Sequence, residues 1–276
     1  MEKLINRAAK DLVESKYAIA LTGAGMSTES GIPDFRGPKG IWTKQPEAER
    51  KAYQTYGKFQ RNPKEYWEER LSRPSLFGDL RKVEPNPGHY ALAELEKMGI
   101  LKCVITQNID NLHERAGSKS VLDYHGNAFR LRCVSCNARY DLEEYDLQQL
   151  RDEGGLPPLC KKCGGIVKDD IVHFTEPIPP DIAEESEKEA LKCDLMLICG
   201  TSAVVYPFAN LPLMARSRSR TLLSGLHVTG YRTTVKIIEL NAEPTPLTHE
   251  GVSDYLIQGK TGEILPKIVD EVKKAS

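Results

Sequence analysis

Five short apolar runs rich in β-branched residues, at 17–21, 101–106, 121–124, 194–199 and 235–240, are separated for the most part by stretches of helical periodicity. This alternation constrains the fold more than any other feature. A parallel neighbour strand is reached only through a long crossover, usually a helix, so strands that alternate with helices predict a parallel sheet covered on both faces. One crossover helix is well marked: Asn86-Pro87 opens it, Ala91, Leu92, Leu95 and Met98 line one face, and Gly99 closes it. A last helix from about residue 263 repeats the stripe with Ile264, Leu265, Ile268 and Val272. At the start, Leu4, Ile5, Ala8, Ala9 and Leu12 stand at helical spacing among charges, as in an amphipathic helix rather than an export signal.

Two stretches break the rhythm. Residues 37–79 are rich in charge and aromatics without a strand-like run and read as short helices and loops; residues 129–173 carry clustered cysteines and turn-forming Gly-Gly and Pro-Pro pairs. The expected architecture is α/β: a discontinuous Rossmann-like domain of residues 1–36, 80–128 and 174–276, with a helical insert (37–79) and a metal-binding insert (129–173) that together form a smaller domain. The crevice between the two would be the ligand site.

Seven cysteines in 276 residues are odd in number and uneven in spacing, which suits metal binding and buried thiols better than a disulfide framework. Cys103, Cys193 and Cys199 lie in apolar runs and read as core thiols. Cys133-x-x-Cys136 and Cys160-x-x-Cys163, 23 residues apart, have the spacing of a zinc ribbon. Four sulfurs leave no open coordination position, so one structural zinc is expected; a redox pair would ordinarily use one such motif beside a thioredoxin-like unit. A net charge of -1 excludes a general nucleic-acid binder, and no apolar run approaches the roughly 18 to 20 residues that cross a bilayer. A cytoplasmic protein is expected.

The run from Tyr17 to Gly37 starts as a buried strand and breaks at Gly23-Ala24-Gly25, where small residues would admit a phosphate to the backbone. Ser27, Thr28 and Ser30 would then offer N–H groups and hydroxyls to the anion at a helix N-terminus. Thr28 replaces the third glycine of the common dinucleotide fingerprint, and glycine turns also serve plain packing, so both readings stand. The extension through Phe35-Arg36 joins an aromatic to a cation in a long loop, as a lid would. His125 ends the run VLDYHG; a lone histidine is as a rule structural, and His89, His113, His227 and His249 have no setting that says otherwise.

The segments GAGMSTESGIPDFRG, TQNIDNLHERAG, His125-Gly126, the two Cys-x-x-Cys pairs, GTSAVVYP and ELNAEPTP, in this order, closely resemble the signature segments of the sirtuin family. The resemblance implies an NAD-dependent protein lysine deacylase that yields deacylated lysine, nicotinamide and O-acyl-ADP-ribose. It implies cofactor contacts at Ala24, Ser27, Thr28, Phe35, Arg36, Gln107, Asn108, Ile109, Asp110, Gly200, Thr201, Ser202, Asn241 and Glu243, beside Gly23 and Gly25, with Lys260 and Thr261 as further candidates. Gln107 to Asp110 lie just past a strand end, where amide and carboxylate groups suit ribose hydroxyls and a carboxamide; Asp110 also reads as a helix N-cap. His125 corresponds to the family's catalytic histidine, a general base for a ribose hydroxyl, with Asn108 beside it.

An acylated-lysine protein or peptide is the implied partner, in a cleft formed by Val172-His173-Phe174-Thr175-Glu176. Here Thr175 stands where glycine is usual and His173 where an aromatic is common. Relatives that prefer acidic acyl groups resemble one another in a Tyr-x-x-Arg pair; Tyr66 is instead followed by Glu69, with Arg70 and Arg73 beyond, so neutral acyl groups are favoured. An extra segment around 217–234 has no functional reading, and the Arg216, Arg218 and Arg220 cluster at its start reads as a solvated loop. Mono-ADP-ribosyl transfer and a non-catalytic NAD-binding module remain the alternatives.

Overall fold

The structure is a computed structural model and describes residues 1–37, 40–72, 78–224 and 235–275. Its strands are β1 (Ala18–Thr22), β2 (Leu101–Thr106), β3 (Val121–Asp123), β4 (Arg130–Cys133), β5 (Arg139–Asp141), β6 (Val167–Asp169), β7 (Leu195–Cys199), β8 (Lys236–Asn241) and β9 (Tyr255–Gln258). The helices are α1 (Glu2–Glu14), α2 (Ile41–Lys44), α3 (Pro46–Arg61), α4 (Pro63–Ser72), α5 (Pro87–Lys97), α6 (Leu112–Arg115), α7 (Leu147–Asp152), α8 (Pro180–Lys192), α9 (Asn210–Ser224), α10 (Pro246–His249) and α11 (Thr261–Ala275).

Six strands form one parallel sheet in the order β3-β2-β1-β7-β8-β9. β1 and β7 lie at its centre and are buried at every position. Their alternate residues feed two cores. Ala18, Ala20, Leu195 and Leu197 meet the apolar stripes of α1, α5 and α11, while Ile19, Leu21, Met196 and Ile198 meet the layer that holds Ala190, Phe208, Leu211 and Ala215. Each Leu or Ile so buried stabilises the fold by roughly 1.5–3 kcal/mol.

The predicted crossover helix forms as α5, and Asn86 caps it by accepting from the Gly88 N–H at 2.9 Å. Ala91, Leu92 and Leu95 are buried as the stripe requires. The five apolar runs all become strands. A sixth strand, β9, escaped the sequence reading: it is four residues long and mostly half-buried.

The two interruptions pack on each other. Residues 37–79 contribute α2, α3 and α4, of which α3 runs to 16 residues, longer than the short helices expected. Residues 129–173 contribute a three-stranded antiparallel sheet in the order β5-β4-β6. Phe59, Tyr66 and Trp67 from the first share a core with Leu131, Cys133, Leu156 and Val167 from the second, and the Trp67 indole donates to the Val167 carbonyl at 3.0 Å. The fold is thus α/β, a Rossmann-like parallel sheet with a smaller unit built from a helical and a cysteine-bearing module. Of the extra segment, residues 225–234 lie outside the described residues, as do His227 and Arg73. Arg216 is structural: its guanidinium donates to the Val235 and Val252 carbonyls and pairs with Asp254 at 2.7 Å.

Candidate active site

Strand order reverses at β1 and β7, so the loops leaving their C-terminal ends diverge and open a crevice. The two loops interlock. Gly25 N–H donates to the Gly200 carbonyl at 2.8 Å. A Cβ on Gly25 would lie 2.8 Å from that oxygen, and one on Gly200, whose φ is +60, would lie 2.3 Å from the Met26 nitrogen. The glycines therefore let one backbone cross another, the packing reason that the sequence left open beside phosphate access. A second difference concerns the chain that follows. Two 3-10 turns, Ala24–Met26 and Thr28–Ser30, replace the expected helix N-terminus.

Buried amides and hydroxyls lock this loop to the end of β2. The Asn108 amide donates to the Gly23 carbonyl and to Ser27 Oγ, both at 3.0 Å. Ser27 donates in turn to Asp110 at 2.6 Å, and Asp110 also accepts from the Leu112 N–H at 3.0 Å; the N-cap of α6 is Asn111, so Asp110 stands one residue before the cap position that the sequence suggested. Burial pushes the Asp110 carboxyl up, with Ser27 and Leu112 opposing it. Gln107 donates to Thr201 Oγ1 at 2.7 Å, and the Asn241 amide to the Thr201 carbonyl at 2.9 Å. With each donor paired, the network holds its shape before any ligand arrives.

One cleft of ≈ 2680 Å³ is lined by Ala24, Gly25, Ser27, Thr28, Phe35, Arg36, Gln107, Asn108, Ile109, Asp110, Gly200, Thr201, Ser202, Asn241, Glu243, Lys260 and Thr261, and equally by His125 and residues 172–176. Pockets for drug-sized ligands hold roughly 300–1,000 Å³, so this cleft has room for two occupants. Of the candidates for cofactor contact, Gly23 alone is not among the lining residues. Lys260 is exposed and paired with Glu263 at 3.3 Å. Thr261 is buried, and its hydroxyl has no partner among the described residues. Glu29, which the sequence reading passed over, lines the cleft and caps α11 by accepting from the Gly262 N–H at 2.7 Å.

His125 follows β3 by one residue, Tyr124. Burial pushes its imidazole down to about 4, against a hydrogen bond to the Gln107 backbone that pulls the other way, so the ring is neutral at ordinary pH. Tyr124 packs edge-on against it, with ring centroids 5.6 Å apart. The His125 carbonyl accepts from the Val172 N–H at 2.8 Å. A Cβ on Gly126 would come within 1.8 Å of the Asp170 carbonyl, so glycine is required for residues 170–172 to approach. His89 and His113, by contrast, are buried against each other at 4.9 Å and away from the cleft lining.

Residues 172–176 do not act as one surface. Phe174 joins an aromatic chain, with its centroid 4.6 Å from Tyr53 and 5.2 Å from Trp42, and Trp42 lies 4.9 Å from Phe35. Arg36 stacks over Trp42 at 4.5 Å, so the aromatic and the cation of this loop both pack on the helical module while lining the cleft. Thr175 sits at φ +72, which explains why glycine is usual there. The Glu176 side chain is held between Arg132 at 2.6 Å and Lys168 at 3.2 Å and accepts from the His173 N–H. It shapes the turn more than it offers a contact.

The four clustered cysteines meet as predicted. Their sulfurs lie within 4.8 Å of one another, with Cys133 to Cys163 and Cys136 to Cys160 both at 3.6 Å. That is far from a disulfide and close to the roughly 3.8 Å edge of a tetrahedron built on zinc–sulfur bonds of about 2.3 Å. The Ser135 and Gly165 N–H groups point at Cys133 and Cys163 sulfurs, each at 3.4 Å, as donors to thiolates do. The donor set fits a structural zinc. Cys103, Cys193 and Cys199 are buried thiols.

Comparison with known proteins places this geometry. A sequence model described as the Sir2 family matches residues 23–207. A protein of Archaeoglobus fulgidus named NAD-dependent protein deacylase 2 is 44% identical over 278 residues, covering 99% of this chain and 98% of its own. A solved structure reported under the mechanism and regulation of Sir2 enzymes superposes with a TM-score of 0.75 at 44% identity over the whole of both chains. A Sir2 homologue solved as its NAD complex superposes with a TM-score of 0.71 at 38% identity, over 100% of this chain and 94% of that one. With a matching family model over most of its length, full-length relatives, the parallel sheet and the four-cysteine module, this chain belongs to the Sir2 family.

Proposed function

We infer that the protein is an NAD-dependent protein lysine deacylase that releases deacylated lysine, nicotinamide and O-acyl-ADP-ribose. The observation that carries the reading is a neutral, half-buried imidazole at His125 in the same cleft as the interlocked strand-end loops. NAD, when bound, supplies an electrophilic ribose carbon that an amide oxygen can attack. The protein's own part is then to orient two substrates, exclude water and accept one proton.

His125 is the base for that proton, since its ring nitrogen is unprotonated at neutral pH and needs no prior proton loss. Asn108, Asp110, Ser27 and Gln107 are pre-organised by their mutual hydrogen bonds and are assigned to the sugar and carboxamide. Asn241, the last residue of β8, and Glu243 just beyond it are assigned to the distal half of the dinucleotide, with Ala24, Thr28, Arg36, Ile109 and Ser202 along its path. Phe35, braced by Trp42, screens the reacting centre. The acyl-lysine peptide is assigned to Val172, His173, Phe174 and Thr175. Residues 1–36, 80–128 and 174–276 would form the cofactor domain, with 37–79 and 129–173 as the small domain. No helix among the described residues is long and apolar enough to cross a membrane, and a cytoplasmic setting agrees with cysteines kept reduced for metal.

The test is nicotinamide release from NAD with and without acyl-lysine peptides. His125→Ala should cut acyl-dependent release by about 10²-fold or more, the usual weight of a general base. Release that proceeds equally well without an acyl group would favour ADP-ribosyl transfer. Cofactor binding without turnover on any acyl peptide would leave only a binding module.

A further inference from the structure

His89 on α5 and His113 on α6 are 0% and 1% exposed, and neither lines the cleft. A buried neutral imidazole has one nitrogen that donates and one that accepts, and its partners dictate which is which. His89 Nδ1 accepts from the Asn86 N–H at 3.2 Å, so its proton is on Nε2. The Thr22 hydroxyl donates to Thr106 Oγ1 at 2.8 Å and has no second proton to give. His113 Nε2, 3.0 Å from the same hydroxyl, is therefore the donor there, and His113 Nδ1 is bare. The nitrogens left over are a donor, His89 Nε2–H, and an acceptor, His113 Nδ1, both buried without a partner among the described residues.

The two rings are neighbours, with centroids 4.9 Å apart and planes tilted by 59°. Two ring nitrogens that face each other across such a gap span it with a hydrogen bond. Unpaired, each would carry the full desolvation cost of a buried polar group; paired, both costs vanish together. Burial pushes His89 down to about 4 and His113 well below its ordinary value, with His89 adding to the second effect. Both rings are thus neutral, as the pairing needs: a second proton on His113 would set two N–H groups face to face.

The ends of this chain of bonds lie at the crevice. Beyond His113 it passes through Thr22, the last residue of β1, to Thr106, the last of β2, whose hydroxyl accepts from the Asn108 N–H at 3.0 Å. Beyond His89 it reaches Asn86, whose amide donates to the Met26 carbonyl at 2.8 Å and to Ser30 Oγ at 3.2 Å. We propose that His89 and His113, locked in the Nε2–H tautomer and joined donor to acceptor, are positioning residues for the dinucleotide: they fix Asn108 and the turn from Gly23 to Ser30 relative to one another. Among the described residues no bond of the chain reaches residues 172–176, so the effect falls on the cofactor and not on the peptide.

This inference rests on the crevice being the dinucleotide site, and the experiment separates the two. ADP-ribose affinity is measured by calorimetry, and kcat and KM for NAD and for an acetyl-lysine peptide by nicotinamide release. The proteins are the wild type, His89→Leu, His113→Leu, the double leucine variant and His113→Gln, with thermal melting to confirm the folded state. Either leucine variant should weaken ADP-ribose binding and raise the NAD KM by about tenfold, the weight of one buried hydrogen bond, with the peptide KM within about twofold. The double variant should lose clearly less than the two single losses combined, since the rings share one bond, whereas independent packing losses would add. His113→Gln, which can donate to Thr22 and accept from His89 at once, should return to within about threefold of the wild type. Additive losses, a folded glutamine variant no better than leucine, or unchanged ADP-ribose affinity in a folded leucine variant overturns the proposal. Where the leucine variants fail to fold, nitrogen-15 spectra of the histidine-labelled wild type decide: a proton on Nε2 of both rings sustains the proposal, and a proton on Nδ1 of either overturns it. A wild type that binds no ADP-ribose overturns instead the reading of the crevice.

Discussion

Thr175 holds φ +72, a left-handed backbone that a β-branched side chain adopts only under strain. Its substitution by glycine removes that strain, which is worth about 1–2 kcal/mol, and returns part of it as unfolded-state entropy. Thr175→Gly should therefore raise the melting temperature by about 2 °C or more; an unchanged or lower value would mean that the threonine side chain earns its place in contacts. The departure was visible in the sequence, but its meaning was not, because φ is set by the turn that Glu176 and His173 close on each other. His125 shows the reverse case. Its proposed role came from its neighbours in sequence, while its depressed pKa required a view of the walls around it. A base is active only when unprotonated, so activity is present above its pKa and lost as pH falls through it. The acid limb of kcat/KM, which reports the free enzyme, should lie toward about 4 rather than near an ordinary histidine's value of roughly 6.5. A limb centred near 6.5 would mean that water reaches the ring more freely.

Long apolar runs announced their strands, since a central strand buried on both faces has no polar alternation to obscure it. β9 lacked that signal: four residues, half-buried, at the sheet's edge. The strands β4, β5 and β6 are three or four residues each and owe their pairing to partners distant in sequence. The cysteine spacing predicted a metal site but not the sheet around it. Stripping zinc with a chelator should therefore unfold this module locally, since a three-stranded sheet of this size has little core of its own. Hydrogen exchange over residues 129–170 should accelerate by several orders of magnitude and turnover should stop, while the shift in melting temperature on adding ADP-ribose persists. Retention of activity without metal would show that the core shared with Tyr66 and Trp67 suffices.

At the scale of the whole molecule, the cleft draws on residues from Ala24 to Thr261. Much of its inventory was legible, because the loops after β1, β2, β3, β7 and β8 follow recognisable strands, whereas the loop after β9 and the wall supplied by the helical insert do not. Sequence order could not give the encounters between loops: the crossing of Gly25 over Gly200, the aromatic chain from Phe35 through Trp42 to Phe174, or the convergence of Tyr66 and Arg70 on Asp169. Those depend on three-dimensional closure and leave no periodic trace. The sheet's central pair carries a further implication. Ala18 pairs with Leu195, so the innermost hydrogen bonds join an early segment to a late one, and pairings of such separation are slow to find. During synthesis all four metal-site cysteines, the last of them Cys163, precede β7. The ligands for the metal are thus complete in the chain while the dinucleotide crevice has only one of its two rims.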